Sequence, residues 1–307
     1  MLTLIQTAAE LGLITSLTVL ALFLSYSMLN ICDLSTDGCF TLGACTGAVV
    51  ALSGHPYLSI PAAMAAGILS GLVTSLLQTK MGIDSLLSGI IVNTALFSIN
   101  IAVMGNSSLL NMNKTPTVFT MMKQLLEDTP LAGKQTLVIA LIAVTIVLLF
   151  LNLFLNTRLG TALRATGNNM AMVRSSSIDP DRITMIGLCM SSGITALSGC
   201  LLAQSQRSVN IDIGSGILTI SLASLLIGRI ISMRSSLTLR SICAVIGSLI
   251  FRLVYTFALR LNMPAYMLKL ISSVIVIMAI SIPYLKQRYP LYKRMKEGRE
   301  NAGTDQA

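Results

Sequence analysis

About nine apolar runs divide the chain, most of them close to the roughly 20 residues a helix needs to cross a bilayer, with short polar stretches between them. The runs do not alternate, which excludes a transmembrane barrel built from roughly ten-residue alternating strands. They predict an all-α polytopic helical bundle. Composition agrees, with 11% charged residues and a mean hydropathy of +0.80, where soluble domains carry roughly 25% charged residues. Residues 1–284 read as one membrane domain and residues 285–307 as a basic tail.

The expected spans cover residues 11–29, 57–77, 86–104, 137–155, 183–202, 237–259 and 266–282, and two runs, 40–52 and 213–228, are too short to cross alone. The first short run follows Asp33-Leu34-Ser35-Thr36-Asp37-Gly38, and the second opens on Asp212-Ile213-Gly214-Ser215-Gly216. A polar break feeding a short helix predicts unwound backbone, tolerated at membrane depth only where protein or a wet cavity surrounds it. Gly43/Gly47 and Gly67/Gly71 are GxxxG pairs, expected to serve helix packing within the chain. No Lys or Arg precedes Lys80, so the first run lacks the charged start of a signal peptide and is expected to stay as a membrane helix. Residues 105–134 form the longest polar loop before the tail, with an amphipathic piece near residues 118–126.

Residues 158–182 are polar and basic between two apolar runs. Asn168 and Asn169 suit the cap of a short helix on which Met170 and Val173 share a face at i, i+3 spacing. Asp179 suits an N-cap and Pro180 the first position of the next span. The stretch therefore predicts a short helix lying along the membrane. Placing it in the cytoplasm also puts Lys80, Arg229, Arg234, Arg240 and the basic tail inside, as the positive-inside rule requires. That orientation leaves the N-terminus outside and the C-terminus cytoplasmic.

The net charge of +9 is spread over short loops and tail, where the positive-inside rule puts it, which argues against nucleic-acid binding, and membrane lipid is an expected partner of the apolar spans. The six cysteines show no zinc or redox spacing, and the single histidine, His55, lies in a turn. No GxxxxGK[ST] loop and no Ser/His/Asp set is present, so catalysis by this chain is not expected. A bundle with interrupted helices and a basic elbow has the anatomy of a transporter.

The stretch Arg158-Leu159-Gly160-Thr161-Ala162-Leu163-Arg164-Ala165-Thr166-Gly167-Asn168-Asn169, with Ser177-Ile178-Asp179 and Asp181-Arg182, resembles the signature loop of permease subunits of the branched-chain amino acid and ribose type of ABC importer. Asp33-Leu34-Ser35-Thr36-Asp37-Gly38 resembles that family's Asp-Leu-Ser-x-x-Gly element, and the likeness continues through Gly187, 193–204 and 214–228. The chain departs from it at Ser177 and Arg229, where the family often has glycine. The absence of an extra amino-terminal helix is more similar to the amino-acid branch, and a branch for aromatic amino acids is also similar.

The resemblance implies a permease of a bacterial plasma membrane importer that moves a small polar solute, with ATP and magnesium on a separate cytoplasmic ATPase and no cofactor on this chain. It also implies a second permease copy or relative and an extracytoplasmic solute-binding protein. Met170, Met172 and Val173 would anchor the ATPase, with Gly167, Asn168, Asn169, Arg174 and Ser176 around them. For the solute path the candidates are Asp33, Ser35, Thr36 and Asp37 in the break, Asn93 and Asn100 on a following span, and Arg252 within a later one. Asp33 and Asp37 equally suit helix caps, and Arg252 equally suits an ion pair or an outward reach to the interface. Other readings are a ribose- or nucleoside-type solute for the same machine, or an ion-coupled secondary transporter working alone.

Overall fold

The computed structural model describes residues 2–113, 115–126, 135–232, 236–260, 270, 273–278 and 281. Most of the expected span 266–282 and the whole 285–307 tail lie outside these residues. Among the described residues, six helices are long and apolar enough to cross a membrane. Helix α1 (Leu2–Leu22) continues as a π-helical turn, Phe23–Met28. Then come α2 (Thr36–Leu52), α3 (Ser59–Thr79), α4 (Ser85–Val103), strand β1 (Leu109–Asn111) and α5 (Val118–Leu126). They are followed by α6 (Gln135–Leu155), α7 (Arg158–Asn168), α8 (Met170–Ser175), α9 (Pro180–Gln206), β2 (Ser208–Asn210), α10 (Ile217–Ile231) and α11 (Leu237–Arg260).

Helices α1 and α9 form the centre of the bundle and are mostly buried, whereas α3, α4 and α6 expose much of their apolar surface, as lipid-facing helices do. The two central helices run antiparallel: Ser198 Oγ donates to the Ile14 carbonyl at 2.7 Å, and Ser191 Oγ to the Ala21 carbonyl at 2.9 Å. Such serine-to-backbone bonds hold helices together where lipid offers no hydrophobic drive. Helix α2 runs parallel to α9, with Gly43 against the Ala196 backbone and Gly47 against Cys200. Helix α3 returns antiparallel, with Gly67 against Ala196 and Gly71 against Ser192. Both GxxxG pairs thus serve packing on α9 within the chain.

Helices α2 and α10, of 17 and 15 residues, span about 25 Å and 22 Å at 1.5 Å per residue, short of the roughly 30 Å hydrocarbon core. Each begins near the middle of the bundle. Cys39 Sγ donates to the Ser192 carbonyl at 3.2 Å, close to the midpoint of α9, and Gly214, just before α10, packs on the Asp37 carbonyl. From that level α2 rises to the face where α9 ends, and α10 descends to the face of α7 and α8. Lys80, Arg229 and Arg240 share the α7 face with Arg158 and Arg174, and β1 and β2 pair antiparallel at the opposite face, Leu109 against Asn210.

The polar 105–134 loop contributes β1 and α5. Fully buried Gln204 fastens α5 by accepting the Val118 N–H at 3.1 Å and donating to Ser59 Oγ at 2.6 Å. This satisfies both ends of an amide that would otherwise be costly to bury. Phe119 then packs into the main core.

Candidate functional site

The α7–α8 elbow is defined by its caps. Thr157 Oγ1 accepts the Gly160 N–H at 3.2 Å to start α7, and Asn169 Oδ1 accepts the Ala171 and Met172 N–H groups at 3.1 and 3.2 Å to start α8. Asn168 ends α7 and does not cap α8. Asp179 caps α9 through the Asp181 N–H at 3.0 Å with Pro180 at the first turn, as its sequence predicts. Ser177, where a glycine is common in the resembling family, has φ of 60°, the left-handed region that glycine enters freely.

Helix α8 does not offer all three expected anchors. Met170 and Met172 are 46% and 62% exposed, but Val173 is 2% exposed and faces the bundle. The i, i+3 spacing identifies a stripe without saying which way it points, and here its Val173 end holds the helix down. Asn168, Asn169, Arg174 and Ser176 are exposed around the methionines. Arg174 lies 3.7 Å from Asp181 and Arg182 3.1 Å from Asp179, both pairs at the surface and of little energetic weight.

Gly167 is the joint between the elbow and the bundle. A methyl group at this position would collide with the Met28 carbonyl and Leu29, at the end of the π-helical turn. Beyond that turn Asn30 adopts φ of 58°, and the chain re-enters the bundle toward α2. A push on α7 therefore meets the backbone that leads directly into the mid-bundle break. π-helical turns often mark such functional positions.

The break itself divides the predicted pathway residues. Asp33 is buried and its Oδ1 accepts the Ser35 N–H at 2.9 Å, while Thr36 Oγ1 donates to the Asp33 carbonyl at 2.7 Å. Ser35 is buried beside Thr74 at 3.5 Å. These three residues, expected along the path, instead shape the turn from within. Asp37 behaves differently. Its Oδ2 accepts the Gly216 N–H at 3.0 Å and its Oδ1 the Leu218 N–H at 2.8 Å, so a carboxylate on α2 occupies the positive N-terminal end of α10.

Beside that joint lies a cavity of about 280 Å³ lined by Asp37, Gly38, Thr41, Asn93, Asn100 and Phe97, with Asp212 and Ser215 from the second break. Asn100 Nδ2 donates to the Gly38 carbonyl at 3.2 Å. The structure thus unites Asp37, Asn93 and Asn100 and adds Asp212 and Ser215. The signal for the additions was the second short run, opened by the Asp212 to Gly216 stretch. Arg252 does not join them: it packs between α1 and α11 opposite Gly12, its guanidinium 5.5 Å from the Tyr255 ring centre. Among the described residues, no group of three His, Cys, Asp or Glu side chains is placed to hold a metal ion.

A membrane bundle with two short helices meeting in its middle, and a capped elbow resting on the break, defines a polytopic permease. The family model for the permease component of branched-chain amino acid transport systems matches residues 4–280. The tyrosine transport system permease protein of Clostridioides difficile (strain R20291) is 34% identical over 267 residues, 87% of this chain and 86% of the relative. The protein RP368 of Rickettsia prowazekii (strain Madrid E) is 30% identical over 281 residues, 90% and 96% of the two chains. No solved structure matches. The chain belongs to the branched-chain amino acid transport system permease family, and it is a multi-pass membrane transport component.

Proposed function

We propose that this permease is the membrane subunit of an ATP-binding cassette importer for an amino acid, of the kind named for the Clostridioides difficile tyrosine relative. A cytoplasmic ATPase, carrying ATP and magnesium, docks on α8. A solute-binding protein delivers solute at the opposite face, and a second permease, identical or related, completes the membrane unit. The chain lies in the bacterial plasma membrane with its N-terminus outside and its tail in the cytoplasm. The basic residues shared by the α7 face support this orientation.

The observation that carries the reading is the exposed Met170–Met172 pair on a capped helix whose base, Val173 and Gly167, is fixed to the bundle. Exposed methionines ringed by polar groups form an apolar anchor for a protein groove. Closure of the ATPase would press the elbow on Met28 and Leu29 and shift the break. The cavity of Asp37, Asn93 and Asn100, with Asp212 and Ser215, then supplies the solute path. A proton-coupled carrier fits less well, because buried Asp33 accepts a backbone N–H and Asp37 accepts two. Both carboxylates are thereby committed to holding backbone turns.

Met170→Asp/Met172→Asp alters only exposed side chains of this chain and should leave the bundle intact. Co-purification of the ATPase subunit is expected to fall at least about tenfold, since each buried methionine stabilises a contact by roughly 1.5–3 kcal/mol. Undiminished association would refute docking at α8.

A further inference from the structure

On the α7 face, a second and larger cavity of about 730 Å³ opens between the π-helical end of α1, the end of α7, and the junction of α10 with α11. Two arginines line it, Arg229 in the last turn of α10 and Arg240 in the first turn of α11. Both are exposed, and among the described residues neither has an acidic partner and no carboxylate lines the cavity. Tyr26, Ser27 and Asn30 add polar groups at the wall. Leu226 and Ile230, one turn apart on α10 and only half-buried, give the same cavity an apolar side.

The depth of these groups is informative. Arg240 lies in the first turn of α11, where the apolar span that starts at Leu237 begins, and Arg229 in the last turn of α10, so both sit at the α7-face end of the bundle. That end of a spanning bundle is the one nearest lipid head groups, which flank the hydrocarbon core. A free anion would be held by the arginines and would leave the apolar side wet. An amphiphile with a phosphate head and an acyl chain satisfies both. We propose that the cavity is a binding site for an acidic phospholipid, with its phosphate between Arg229 and Arg240 and its chain along Leu226 and Ile230. Gly167 and Asn168 of the elbow also line the cavity, so a lipid seated there touches the joint between α7 and the bundle.

The test is lipid retention by the purified full-length chain, followed by native mass spectrometry and by melting temperature in detergent. Phosphatidylglycerol should be retained and should raise the melting temperature, whereas phosphatidylcholine and inorganic phosphate should do neither. Each arginine near an anionic lipid surface contributes about fivefold, so Arg229→Gln/Arg240→Gln should weaken phosphatidylglycerol about thirtyfold. Lys80→Gln/Arg158→Gln removes the same charge from exposed positions on the same face and should retain the lipid. Equal retention of both lipids, equal loss in the two double variants, or a full shift by inorganic phosphate alone would overturn the site. Since the substituted arginines are exposed, the single variants Arg229→Gln and Arg240→Gln serve if the double variant fails to fold, each with about a fivefold loss.

Discussion

Asp37→Ala is expected to lower the stability of the chain by about 3 kcal/mol, seen as a lower melting temperature in detergent, and to abolish solute uptake. The carboxylate bridges two short helices by accepting the N–H groups of residues 179 and 181 positions further along the chain, at 3.0 and 2.8 Å. Hydrogen bonds to an ionised acceptor are roughly twice as strong as neutral ones. Without it, the part-buried Gly216 and Leu218 N–H groups lose their acceptor; an unmet donor costs about 1–3 kcal/mol when fully buried, and two part-buried ones together reach about 3 kcal/mol. Asn supplies one amide oxygen in place of two charged ones, so Asp37→Asn should fall between the alanine variant and the parent. Equal stability of all three chains would show that α10 is held in place by packing alone.

Gly43→Leu should be more damaging still and prevent accumulation of folded protein in the membrane. At Gly43 even a Cβ meets the Ala196 backbone, and at Gly199 it meets the Phe40 carbonyl, so α2 and α9 touch main chain to main chain at both sites. Neither backbone can yield without separating the helices, and overpacking of this kind costs about 1–3 kcal/mol for small insertions and more for large ones. Gly43→Ala should therefore cost about 3 kcal/mol, the upper end of that range. Gly54→Ala is the contrast: nothing lies within 4 Å, and only its φ of 89° resists the substitution, at about 1 kcal/mol. Comparing melting temperatures of these variants separates close approach from backbone conformation. Similar values for Gly43→Ala and Gly54→Ala would contradict the packing of α2 on α9.

Much of this architecture is legible before any coordinates. Run length alone separates crossing helices from α2 and α10, and Asn169 and Asp179-Pro180 announce helix starts through local chemistry that needs no tertiary context. The GxxxG pairs could be assigned to packing because small residues four apart let backbones touch. The direction of Val173 was not legible, since periodicity relates residues to one another and not to the rest of the bundle. Nor was the partner of Asp37. Its sequence neighbours suggest a cap for its own helix, and only the meeting of two distant breaks makes it a cap for another. Arg252 stood out as an intramembrane charge, but no local feature says whether such a charge faces a cavity or, as here, a neighbouring ring and helix.

Labelling a cysteine placed at exposed Ser175 with a membrane-impermeant thiol reagent decides which side of the membrane the α7–α8 elbow faces. A cysteine at Asn106, exposed at the opposite face, is the companion position. In intact cells the Asn106 position should react and the Ser175 position should not, and opening the membrane should make Ser175 reactive. Reaction at Ser175 in intact cells, with Asn106 protected, would place the elbow outside, where no cytoplasmic ATPase can grip it.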